Sequence, residues 1–118
     1  MGPEVTAEAV KVLRAVCTAH ELVFREGLIG GAALHATGVA LPEETLNLAI
    51  SSDAILFGAV GLPEFDTAPP ARRPEAGLLG IRKALGLWAN LRPARIFAGL
   101  ERFSPLRPER IAGVDLIV

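Results

Sequence analysis

Residues 53–61 read Asp-Ala-Ile-Leu-Phe-Gly-Ala-Val-Gly, DAILFGAVG. Ala54, Ile55, Leu56 and Phe57 follow one another with no polar residue between them. A strand with one solvated face alternates apolar and polar residues. An unbroken apolar run of this length, closed by glycines, is instead the pattern of a strand covered on both faces, as in a parallel sheet.

Segments of the other period lie on either side. Residues 41–52, LPEETLNLAISS, open with proline and two acids, which suit a helix N-terminus. Residues 22–30, LVFREGLIG, are short, rich in branched side chains and bounded by Gly30 and Gly31, and read as a strand. Residues 3–16, PEVTAEAVKVLRAV, start with Pro3 and Glu4 and carry Val5, Ala9, Val12 and Val16 on one helical stripe. On the C-terminal side, residues 61–76 are rich in proline and glycine and read as a loop. Residues 77–91, GLLGIRKALGLWANL, read as a helix weakened by Gly80 and Gly86. Residues 92–100 and 113–118 read as strands. Alternation of this kind predicts an α/β fold with a mostly parallel sheet and flanking helices. The first helix has no strand before it, and the chain closes on the apolar strand DLIV. The expectation is a segment of a larger protein, truncated at both ends.

Composition sets outer limits. The 118 residues are 51% hydrophobic and 21% charged, which excludes a disordered chain. Cys17 is the sole cysteine, so an internal disulfide is impossible and a reducing, cytoplasmic setting is expected. With only His20 and His35 beside it, a Cys/His zinc site is not expected. No apolar run reaches the length a membrane helix needs, and the acidic N-terminus has no signal-peptide pattern.

The net charge of −1 hides a strong asymmetry. Residues 1–70 hold three cations against nine acids, whereas residues 71–110 hold nine cations against three acids. An anionic ligand therefore belongs to the second half. Its cations are nearly all arginine, whose planar fork grips a carboxylate with two hydrogen bonds. The glycine cluster at 27–38, GLIGGAALHATG, lacks the Gly-Lys-Ser/Thr of a phosphate loop, and no Gly-x-Gly-x-x-Gly follows a strand. These glycines read as turn residues, His35 as a loop or helix-start histidine, and Cys17 as a small core residue.

The sharper feature lies at residues 74–82, PEAGLLGIR. On a helix, Glu75, Leu78, Leu79 and Arg82 share one face. Simple packing would put Leu78 and Leu79 in the core and leave Glu75 and Arg82 as an exposed pair. The alternative is that an acid, two branched apolar groups and a guanidinium together meet a ligand with a charged end and an apolar end. Arg92 and Arg102 follow near element ends, and three arginines suit a substrate with two carboxylates.

Residues 74–106, PEAGLLGIRKALGLWANLRPARIFAGLERFSPL, closely resemble the 3-isopropylmalate dehydrogenases, within the isocitrate/isopropylmalate dehydrogenase family. Residues 2–15, 29–46, 53–66 and 113–118 also resemble successive segments of that family, so the resemblance covers essentially the whole chain. It implies an NAD-dependent oxidative decarboxylation of 3-isopropylmalate in leucine biosynthesis, with Mg or Mn, in a cytoplasmic homodimer with no nucleic-acid or membrane partner. It implies that Arg82, Arg92 and Arg102 bind the malate part, that Leu78 and Leu79 contact the isopropyl group, and that Glu75 lies between substrate and nicotinamide. In the isocitrate enzymes the same helix carries small polar residues. The resemblance further implies that residues 1–90 belong to a first, cofactor-side domain and residues 91–118 begin a second, dimerisation-side domain. It places the catalytic tyrosine and lysine and the metal-binding aspartates outside this chain, which contains no tyrosine. The 118 residues are thus expected to be inactive alone, with no catalytic or metal residue among them. Two alternatives remain open at this point. One is a related β-decarboxylating dehydrogenase acting on tartrate or malate, and the other is a non-enzymatic anion-binding module built on residues 71–110.

Overall fold

The computed structural model describes residues 2–118. The chain divides into two compact units, Met1–Leu87 and Trp88–Val118.

The first unit is helical. Helix α1 spans Gly2–Val16, with Glu4 in its first turn and Arg14 in its last, the order that the helix dipole favours. A backbone hydrogen bond to Glu4 holds its carboxyl below the usual carboxylate value. The valine stripe forms as expected but is not buried: Val5, Val12 and Val16 are all exposed. Helix α2 spans Gly30–Thr37 and ends at Gly38, whose φ of 78° closes the helix in the left-handed conformation. Helix α3 spans Glu43–Ile50, after Pro42, and helix α4 spans Pro74–Ala84. The loop expected at 61–76 contains two short 3₁₀ turns, Pro63–Phe65 and Pro70–Arg72, and yields its last three residues to α4.

Packing in this unit centres on α2 and α4. Gly30, Gly31, Ala33 and Leu34 of α2 are buried, as are Pro74, Gly77 and Ile81 of α4. Ala40 and Ala49 complete the buried apolar set of this unit among the described residues. The Gly30 N–H donates to the Ala40 carbonyl at 2.8 Å, and the Gly31 N–H donates to the Val60 carbonyl at 3.0 Å.

The second unit is built on a two-stranded antiparallel ladder. β1 (Pro93–Arg95) pairs with β2 (Asp115–Ile117) in the register Pro93 to Ile117, Ala94 to Leu116 and Arg95 to Asp115. The connection contains a 3₁₀ turn, Glu101–Phe103, and the single-turn helix α5, Pro108–Ile111, whose Ile111 is buried.

The sheet differs from the expectation. Strands do form within residues 92–100 and 113–118, but they run antiparallel, and this ladder is the one sheet among the described residues. A parallel return needs a crossover helix long enough to carry the chain back along the strand, and a four-residue helix cannot do so. Residues 22–30 and 53–61, expected as strands, form no ladder. Their backbone groups make isolated bonds such as Gly31 to Val60, without the repeated exchange that defines a strand pair.

Candidate functional site

Helix α4 carries the residues that the sequence singles out. Pro74 opens it at the position where a missing N–H costs nothing, Glu75 sits in its first turn, and Arg82 and Lys83 lie in its last. Its packed side is Pro74, Gly77 and Ile81, against α2 and the segment that follows α2. A Cβ on Gly77 would lie 2.3 Å from the Ala40 carbonyl oxygen and 3.0 Å from Ile29 Cγ1. A Cβ on Gly80 would lie 3.2 Å from Leu41 Cδ2. These glycines, which weaken the helix by propensity, are what lets it approach its neighbours this closely.

Because Pro74, Gly77 and Ile81 occupy the packed side, the mixed face is turned away from it. Glu75 is exposed, Leu79 is 66% exposed, and Leu78 and Arg82 are half-buried. The simple packing account, with both leucines in the core, therefore fails for Leu79. Leu79 is thus an apolar side chain left two-thirds in solvent, on the same helix face as an acid and an arginine. The Glu75 carboxylate also lies beside Gly61, at the end of the 53–61 run: a Cβ on Gly61 would be 3.7 Å from Glu75 Oε1.

The other two arginines belong to the second unit. Arg92 is exposed and precedes β1. Its N–H donates to the Val118 carbonyl at 2.8 Å, and its own carbonyl accepts from the Val118 N–H at 3.1 Å. The ladder thus fixes the Arg92 backbone and leaves its side chain outside. Arg102 lies in the 3₁₀ turn, with its guanidinium 4.8 Å from the centre of the Phe103 ring. Arg95 is engaged by Asp115 at 3.6 Å and by the Phe97 ring at 5.4 Å. The structure thus groups Glu75, Leu78, Leu79 and Arg82 on one helix of the first unit, and sets Arg92 and Arg102 on the second.

His35 has more structure around it than its sequence context suggests. It occupies the last turn of α2. Its Nε2 pairs with the Glu64 carboxylate, and its ring meets Phe65 edge-on at 5.5 Å and 67°. The pair spans 29 positions, so no local pattern signals it. A cleft of about 660 Å³ lies elsewhere, between residues 25–28 and α3, and is lined in part by Thr37, Glu44, Asn47 and Ser51. None of the expected substrate residues borders it.

Among the described residues no group of three or more His, Cys, Asp or Glu could hold a metal ion. No helix is long and apolar enough to cross a membrane.

The sequence model of the isocitrate/isopropylmalate dehydrogenase family matches residues 1–118. The chain is 57% identical over 118 residues to a 3-isopropylmalate dehydrogenase of Zymomonas mobilis subsp. mobilis, covering all of this chain and 34% of that protein. It is 56% identical over 121 residues to a 3-isopropylmalate dehydrogenase of Moorella thermoacetica, with the same coverage of each. A third, from Geobacillus kaustophilus, is 53% identical over 120 residues, covering all of this chain and 32% of the relative. The chain spans about a third of the length of the curated relatives it matches.

Proposed function

The chain belongs to the isocitrate/isopropylmalate dehydrogenase family, and from that membership we propose that it supplies the substrate-recognition face of an NAD-dependent 3-isopropylmalate dehydrogenase of leucine biosynthesis. The observation that carries this reading is the orientation of α4. Its packed side is Pro74, Gly77 and Ile81, which leaves Glu75, Leu78, Leu79 and Arg82 as one outward face of mixed chemistry.

On this reading Arg82 and Arg92 grip the carboxylates of the malate part, and Arg102 supports them. Leu78 and Leu79 form the wall for the isopropyl group. A third carboxylate placed against that wall, as isocitrate would place it, would be desolvated without a partner, which costs far more than a misplaced methylene. Glu75 lies between the substrate and the nicotinamide. NAD would supply the hydride acceptor, and a divalent Mg or Mn would supply Lewis-acid chemistry. Among the described residues no group of three or more His, Cys, Asp or Glu could hold a metal ion. Their own contribution is to bind the anionic part, orient the alkyl part and exclude water from it.

The same proposal extends to the architecture. Residues 1–90 are part of a first, cofactor-side domain and residues 91–118 begin a second, dimerisation-side domain. The apolar segments 22–30 and 53–61 act in the whole protein as strands of a mostly parallel sheet flanked by helices, in a cytoplasmic homodimer. Relatives named 3-isopropylmalate dehydrogenase, at 53–57% identity over the whole chain, disfavour both the tartrate or malate reading and the anion-binding module.

The test is a hybrid in which these 118 residues replace the aligned segment of the Zymomonas mobilis relative. NAD reduction is followed with Mn and each of 3-isopropylmalate, isocitrate and tartrate. The expected outcome is turnover with a clear preference for 3-isopropylmalate. A folded hybrid that prefers isocitrate or tartrate would contradict the proposal.

A further inference from the structure

Four contacts dock residues 60–65 onto α2. The Gly31 N–H donates to the Val60 carbonyl at 3.0 Å. Leu62 lies over Gly31 so closely that a Cβ there would be 2.4 Å from Leu62 Cδ1. Phe65 meets the His35 ring edge-on, and Glu64 pairs with His35 Nε2. Gly61 sits inside this docked segment, and it is the backbone beside which the Glu75 carboxylate lies. Whatever fixes residues 60–65 on α2 therefore also fixes what borders Glu75.

We infer that His35 and Glu64 are positioning residues for Glu75: their pairing holds the 60–65 segment on α2 and so sets the backbone surface at Gly61 against which the Glu75 carboxylate rests. The proposal deepens the reading of Glu75 as the group between substrate and nicotinamide and rests on it. Neither His35 nor Glu64 is close enough in sequence to α4 to act locally. Both side chains are more than half exposed, at 57% and 53%, so the ion pair alone is a weak tie. The ring contact with Phe65 adds a second, orientation-dependent hold on the same segment. The Gly31 contacts fix Val60 and Leu62, on either side of Gly61. The pair and the ring contact hold Glu64 and Phe65, which keeps the part of the segment beyond Leu62 on α2.

The test uses the 118-residue chain itself and no substrate, so it reads the geometry separately from the alkylmalate reading. The first readout is amide exchange at Phe65 and Asp66, whose N–H groups donate within the Pro63–Phe65 turn. Glu64→Gln and His35→Gln should each speed it about two- to fivefold, the range expected for an exposed pair. The second readout is the displacement of the Gly61 amide resonance on Glu75→Gln. In the otherwise wild-type chain this substitution should move the resonance. In the Glu64→Gln or His35→Gln background the displacement should fall by about half or more. The reversed pair, His35→Glu with Glu64→Lys, should restore it. A merely structural role would alter exchange and leave the Gly61 response to Glu75 intact. An unchanged response in both single backgrounds overturns the proposal, as does the lack of a dispersed, Glu75-sensitive Gly61 resonance in the wild-type chain. Failure of the hybrid to act on 3-isopropylmalate would instead overturn the substrate reading.

Discussion

Gly77 and Ala40 lie closer than any side chain would permit: a Cβ on Gly77 would be 2.3 Å from the Ala40 carbonyl oxygen. This contact fixes which side of α4 faces inward, and hence which residues it presents outward. Gly77→Ala must push the helix away from Ala40, because the obstructing atom is backbone and cannot rotate aside. The expected cost is about 1–3 kcal/mol, as for other overpacking changes. Urea unfolding of the variant and wild type would measure it. Gly86→Ala, where nothing lies within 4 Å but φ is +65°, separates backbone strain from crowding.

The isolated 118 residues should give no NADH above background with Mn, NAD and 3-isopropylmalate. They span about a third of the length of the 3-isopropylmalate dehydrogenases they match and contain no tyrosine. An absorbance assay at high protein concentration checks this. Turnover that co-purifies with the chain would show that the acid–base group lies among residues that the present assignment leaves out.

The valine stripe of α1 should be a sticky surface in the isolated chain. Val5, Val12 and Val16 are 60–68% exposed along one face of a helix with no buried residue. Fluorescence of a hydrophobic dye should rise on adding the chain and should drop for the triple Val→Ser variant. An equal signal from both would show that this stripe is not the dye-accessible surface.

The ion pair between Arg95 and Asp115 should matter little. Its groups are 3.6 Å apart and well exposed, at 63% and 67%. Asp115→Asn should change stability by less than about 0.5 kcal/mol. A larger loss in thermal melts would mean that the β1–β2 register depends on this pair.

The helices differ in how plainly the sequence announces them. α3 and α4 begin with proline and acids and keep an apolar period; α3 forms close to where those signals lie, whereas α4 starts within the expected loop, at Pro74, and stops at Ala84, seven residues short of the end of the stretch 77–91 read as helical. α2 gives no such notice. Its cap, Ile29, makes no side-chain hydrogen bond, and its first turn is Gly30-Gly31, so propensity argues against a helix. Tertiary packing overrides it, since only glycines fit against Val60 and Leu62 there. The apolar runs 22–30 and 53–61 carry a strand's composition, but a strand exists only through its neighbours, and a single segment's sequence does not supply them. The α4 face was legible because its four residues follow one helical period. The His35–Glu64 pair was not, because it joins residues from separate elements.

The central claim is that the outward leucines of α4 form the wall for an alkyl group. The most direct measurement is kcat/KM for 3-isopropylmalate in the hybrid carrying Leu79→Glu, with Leu78→Glu as a second case. Leu79 is 66% exposed, so its replacement leaves the α2–α4 packing in place. The account predicts a fall of about tenfold or more, equivalent to about 1.4 kcal/mol of lost transition-state stabilisation. A value for both variants within about threefold of the parent hybrid, in protein of unchanged stability, would contradict it.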